Sequence, residues 1–128
     1  MDEVVARARA MIGVRFRPQG RSAVQGLDCM GLAAVAMGVP ADRVRGDYRL
    51  SSGAAEEAHA GFRAAGLVRI EPCEAGAGDL LLVSVGTRRL HALILTGFGF
   101  VHADARLRRV VEAPGAVPWP VVSAWRVI

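Results

Sequence analysis

Three side chains in this sequence have the types needed for nucleophilic chemistry on a carbonyl group: Cys29, His91 and His102. A thiolate attacks a carbonyl carbon, an imidazole takes and returns the proton, and a second polar group fixes the tautomer of the first. Cys29 stands in Gly26-Leu27-Asp28-Cys29-Met30-Gly31-Leu32. Aspartate is a strong N-cap, so Asp28 predicts a helix whose first residue is Cys29. The sulfur would then lie among N–H groups without helical acceptors, at the positive end of the helix dipole. That setting is expected to favour thiolate and to stabilise an oxyanion. Taken alone, a cysteine in an alanine-rich helix reads more readily as a small core residue.

The histidines shift that balance. His91 and His102 lie in strand-like segments joined by Thr96-Gly97-Phe98-Gly99. A two-residue turn on Gly97-Phe98 would set Leu95 opposite Phe100, Ile94 opposite Val101 and Leu93 opposite His102. His91 then falls on the same face as His102 and diagonal to it, within reach of ring side chains. One histidine would act as base and the other would orient it. His59, beside Glu56 and Glu57, is expected at the surface. Cys73 has acidic neighbours in Glu71-Pro72-Cys73-Glu74 and is expected to be a bystander.

Those groups need a scaffold of helices and strands. The apolar spacing of Val4, Val5, Ala8, Met11 and Ile12 predicts a helix over 2–12 ended by Gly13. Residues 15–26, with Pro18, Gly20, Ser22 and Gly26, read as a loop. The helix opening at Cys29 ends at Gly38. Residues 41–53 look irregular, and a third helix over 54–65 would bury Ala58, Phe62 and Ala65. Beyond Pro72, Gly76 and Gly78 the runs DLLLVSV, HALILTG, FVHAD, RRVVEA and VVSAWRVI predict about five strands. Helices first and an antiparallel sheet second is an α+β arrangement. Its 128 residues fit one domain, with no repeat and no linker long enough to divide them.

Composition narrows the rest. Hydrophobic residues make up 52%, but no run approaches the length of a membrane span. The start MDEVVARARAMIG has no basic-then-apolar layout of a secretory signal, which predicts a chain cytoplasmic on synthesis. The net charge is +4, and all sixteen basic residues are arginine. The Arg43/Arg45 and Arg106/Arg108/Arg109 clusters read first as solvated faces, and second as a surface for an acidic polymer. Aromatic residues are only 5% and no nucleic-acid motif occurs, so no nucleic-acid partner is expected. The two cysteines lack metal-ligand spacing; no metal or cofactor is expected, and both are expected as free thiols.

In order, these segments resemble the NlpC-type cell-wall cysteine endopeptidases, papain relatives with a circularly permuted core. Residues 26–32 match the nucleophile segment and Gly78-Asp79-Leu80 the strand entry. His91-Ala92-Leu93-Ile94-Leu95 matches the base strand, and Phe100-Val101-His102-Ala103 the strand of the third catalytic residue. The likeness covers about residues 4–113. It implies a papain-like fold with N-terminal helices packed on the sheet, and hydrolysis of amide bonds in peptidoglycan stem peptides. It also implies Cys29 as nucleophile, His91 as base and His102 as orienting group. Three positions depart from the family pattern: Phe16 stands where tyrosine is usual, Met30 where serine is usual, and one glycine is missing at Gln19-Gly20. A narrower similarity, to short peptidases in phage and gene-transfer-agent tails or baseplates, implies carriage in such a particle to the periplasm or wall. Two other readings fit the same residues: a tail or baseplate component that keeps the fold with little activity, and a thiol amidase or acyltransferase on another substrate.

Overall fold

The computed structural model describes residues 2–40 and 55–127. Helix α1 (Asp2–Ala10) is followed by two short strands, β1 (Arg21–Ser22) and β2 (Gly26–Leu27), and then by helix α2 (Cys29–Met37). Helix α3 (Ala55–Ala64) precedes strands β3 (Val68–Ile70), β4 (Leu80–Gly86), β5 (Arg89–Leu95), β6 (Gly99–Asp104), β7 (Arg109–Pro114) and β8 (Val121–Arg126). The last six form one antiparallel sheet in the order β3-β8-β4-β5-β6-β7, while β1 and β2 pair separately. This is the expected α+β arrangement with one strand more in the sheet. The extra strand, β3, is three residues long with Val68 and Arg69 exposed, so no alternating pattern marked it. The segment expected to be irregular, 41–53, lies outside the described residues.

Alternation along the central strands makes two apolar layers. Leu80, Leu82, Ala92, Ile94, Val101, Ala103 and Trp125 face the helices and pack with Val4, Ala8, Leu32, Ala36, Met37 and Phe62. Leu81, Val83, Leu93, Phe100 and Ala124 form the core of the other face. Helix α2 is buried on most sides, through Met30, Gly31, Leu32, Ala33, Ala34, Ala36 and Met37. Its alanines and glycine let it lie close to both α1 and the sheet. Gly38 ends it at φ +73°, a left-handed conformation open to glycine without a Cβ clash.

Two expectations about this scaffold need correction. Residues 15–26, with the residues that flank them, are no simple loop. Gly13 N–H donates to Val110 O, Val110 N–H to Val14 O and Phe16 N–H to Arg108 O, which straps the segment to the sheet edge at β7. Leu27 N–H donates to Arg15 O and Arg17 N–H to Leu27 O, folding it back on itself. Its Gly and Pro content signalled turns but not the partner across space. His59 is not at the surface but 3% exposed, packed on Trp125 with ring centroids 5.5 Å apart. Its Nε2 lies 2.9 Å from Ser123 Oγ, which also accepts from Trp125 Nε1–H at 2.9 Å. Indole N–H can only donate, so Ser123 Oγ accepts from Trp125 and keeps both a proton and a second lone pair for His59 Nε2. Its Nδ1 lies on the side of Glu56, 3.5 Å from Oε1. Flanking acids suggested solvent, but the helix turns His59 inward with Ala58 and Phe62.

Candidate active site

Asp28 caps α2 from extended backbone and organises the loop before it. Its Oδ1 accepts from Gly31 N–H at 2.9 Å and from Arg21 Nη1 at 2.7 Å, and its Oδ2 accepts from Gln19 N–H at 2.8 Å. Gln19 sits at φ +60°, a left-handed conformation costing a non-glycine residue about 1 kcal/mol or more. The position where a glycine is missing therefore keeps a glycine-like backbone. Gly31 and Gly20 explain the rest of the motif. A Cβ on Gly31 would run into the Gly20 carbonyl, and one on Gly20 into the Gly26 carbonyl. The loop and the first turn of α2 press together as tightly as bare backbone permits.

Strands β5 and β6 hold the two histidines. The expected turn is present, with Thr96 N–H donating to Gly99 O at 3.0 Å and Gly97 at φ +87°. The register is also as expected, Leu95 to Phe100 and Ile94 to Val101. There the backbone ladder stops, one pair short of the expected Leu93–His102 partnership. Across the parting strands the imidazoles meet directly, His91 Nε2 to His102 Nδ1 at 2.9 Å. Helix α2 packs on both β5 and β6, and its first residue reaches the backbone at Ala92.

Cys29, His91 and His102 line one cleft of about 460 Å³, with Phe16, Asp28, Arg89, Asp104 and Trp119 among its other walls. All three residues singled out from the sequence thus share one cavity. Cys73 is exposed on the Pro72–Glu74 turn, away from that lining. Phe16 brings a ring to the wall and no hydroxyl.

The electrostatics differ from expectation at the sulfur. Burial pushes the Cys29 thiol up to about 12, although the N–H groups of Ala92 and Met30 and the charge of Arg21 pull the other way. The helix terminus does favour thiolate, but removal of water outweighs it. His91 is held down at about 4 by burial first and then by the neighbouring His102, partly offset by Asp104. His102 is also lowered by burial, against the pull of Asp104. Asp104 resists its own partial burial because Leu107 and Arg106 donate backbone N–H bonds to its Oδ1, at 3.1 and 2.8 Å. Both shifts favour the uncharged forms, thiol and neutral imidazole.

One hydrogen bond between two neutral imidazoles allows two proton arrangements. If His102 donates, both His91 nitrogens are occupied. If His91 Nε2–H donates, His91 Nδ1 keeps a lone pair, and only this form can receive a proton from Cys29. The N–H of Cys29, first in α2, has no acceptor within its helix and is available to a developing oxyanion. Among the described residues no cluster of three or more His, Cys, Asp or Glu is arranged to hold a metal ion.

No protein-family model matches the sequence, and no curated protein matches it. Solved structures do. The peptidoglycan hydrolase RipB of Mycobacterium tuberculosis superimposes with a TM-score of 0.62 at 23% identity, over 99% of this chain and 64% of that one. The present chain thus spans less than two thirds of that protein's structure. A P60 domain from a Mycobacterium avium subspecies paratuberculosis antigen gives 0.62 at 20% identity, over 99% and 93%. RipD of M. tuberculosis, described as a non-catalytic NlpC/p60 domain protein adapted to peptidoglycan binding, gives 0.59 at 19% identity, over 99% and 95%.

Proposed function

The fold is that of NlpC/p60 domains, and on that premise we propose that this chain is a cysteine peptidase hydrolysing amide bonds in peptidoglycan stem peptides. The observation that carries the reading is Cys29 at a capped helix N-terminus sharing a cleft with a hydrogen-bonded His91–His102 pair. As Cys29 Sγ bonds to the amide carbon, its proton passes to His91 Nδ1, and the carbonyl oxygen takes its negative charge beside the Cys29 N–H. Collapse expels the amine, which takes the proton from His91 and leaves a thioester. Water, deprotonated by His91, then releases the acid and restores the thiol. His102 accepts the His91 Nε2–H throughout and keeps the ring in register.

With burial favouring the uncharged forms of both groups, proton transfer accompanies attack rather than preceding it. Asp28, Arg89, Asp104 and Arg106 along the cleft suit a substrate that carries both charge signs, as a stem peptide does. On this reading the chain works at the cell wall, carried there in a phage-like particle, although none of the neighbours named above is described as a particle component. A binding component without turnover is the second reading, favoured by Phe16 in place of a hydroxyl and by the burial that raises the Cys29 thiol pKa. Digestion of purified peptidoglycan by wild type, Cys29→Ala and His102→Ala, with products identified by mass spectrometry, separates the two. The peptidase releases stem-peptide fragments, Cys29→Ala releases none, and His102→Ala is slower by about a hundredfold. Binding to the wall with no fragments from wild type would establish the second reading instead.

A further inference from the structure

The segment between β7 and β8 has no part in that scheme, yet it sends one side chain into the cleft. Trp119 meets His91 edge-on, with centroids 5.8 Å apart at 81°, and His102 at 5.7 Å and 60°. It also meets Phe100 at 5.8 Å and 69°, while Phe100 lies 5.0 Å from His102. The imidazoles themselves are 5.1 Å apart at 80°. Four rings form a closed cluster in which Trp119 touches the other three.

The indole is braced. Pro118 and Pro120 on either side restrict the backbone, and Ser84 N–H donates to Pro120 O at 2.9 Å, which ties the segment to β4. Gly115 N–H donates to Phe98 O at 3.0 Å at its other end. Trp119 and Val117 pack on the core formed by Leu81, Val83, Leu93, Phe100 and Ala124. Each histidine's backbone is paired on its outer side, His91 with Val83 and His102 with Val111, but the β5–β6 ladder between them ends before reaching them, so no backbone pairing fixes one ring against the other. With one hydrogen bond between them, either ring could turn over or exchange tautomer, and water would compete for both nitrogens.

We propose that Trp119 is a positioning residue which clamps the two imidazoles edge-on, holding His91 Nε2–H on His102 Nδ1 and so reserving His91 Nδ1 for Cys29. This rests on the catalytic reading of Cys29 and His91; Trp119 acts through the histidines and on no reacting atom. The charged and titratable groups around the pair are Cys29 and Asp28 at the start of α2, Arg89 on β5, Asp104 on β6 and Arg106 in the turn that follows. Trp119 carries no charge, so its removal leaves their fields in place and changes ring freedom and hydration.

The test is long-range nitrogen–proton NMR of the imidazoles in wild type, Trp119→Phe and Trp119→Ala between pH 4 and 8, with kcat and KM measured alongside. Wild type and Trp119→Phe will hold a single Nε2–H tautomer at His91. Trp119→Ala will show mixed tautomers and a His91 midpoint raised from about 4 towards 6.5. Its kcat will fall about tenfold or more with KM little changed, and phenylalanine will restore most of the loss. If Trp119→Ala does not fold, Trp119→Leu carries the same readout without a ring. A folded ringless variant with wild-type tautomer and midpoint overturns the proposal. Absence of hydrolysis in every form would instead count against the catalytic reading, and the tautomer measurement would still decide the role of Trp119.

Discussion

Reaction of Cys29 with a neutral alkylating agent tests whether the site rests as thiol and imidazole or as an ion pair. The perturbation is pH, with Cys73→Ser as background because Cys73 is exposed and would contribute its own signal. With the Cys29 thiol pushed up to about 12 from an ordinary 9.0, its thiolate at neutral pH is about a thousandfold scarcer than that of a free cysteine. His91 at about 4 offers no protonated partner above pH 6. Only thiolate reacts, so the rate of iodoacetamide modification will rise about tenfold per pH unit from 6 to 9.5, with no plateau. It will also stay roughly a thousandfold below that of an unperturbed thiol at pH 7.5. Mass spectrometry of the intact protein follows the reaction directly. A flat, fast region between pH 5 and 8 that disappears in His91→Ala would mean that the proton already resides on His91, and that helix-end amides outweigh burial after all.

Burial of the neutral imidazoles makes the fold sensitive to acid. A histidine whose folded pKa is depressed protonates more readily when unfolded, so its contribution is fully present above about 6.5 and is lost as pH falls towards the folded value. For His91, between about 6.5 and 4, that amounts to about 3 kcal/mol, and His59 and His102 add in the same direction. Urea midpoints should therefore drop over this window and drop less in His91→Asn; equal losses in both proteins would contradict the assignment. Away from the cleft lining, Ser123→Ala strands Trp125 Nε1–H and His59 Nε2 together, which costs about 2–4 kcal/mol and lowers the melting temperature. A variant as stable as wild type would show that the Trp125–Ser123–His59 relay carries no weight.

Much of the site was legible in sequence because it depends on local rules. Asp28 as cap, Cys29 as first helical residue and Gly38 as terminator each follow from backbone chemistry within one turn. The Gly97-Phe98 turn determines register, and register alone brings His91 and His102 to one face, since side chains alternate with period two. What needed the tertiary structure was everything set by neighbours distant in the chain. The burial that opposes thiolate at Cys29 comes with the packing of α2 on β5 and β6, which the helix's own sequence does not display. His59 turns inward because Trp125 and Ser123, more than sixty residues later, wait there. The parting of β5 from β6, and the indole of Trp119 that braces the histidines across it, arise from how strands pair in space. Period and capping are written along the chain, whereas dielectric surroundings and long-range contacts exist only once it has folded.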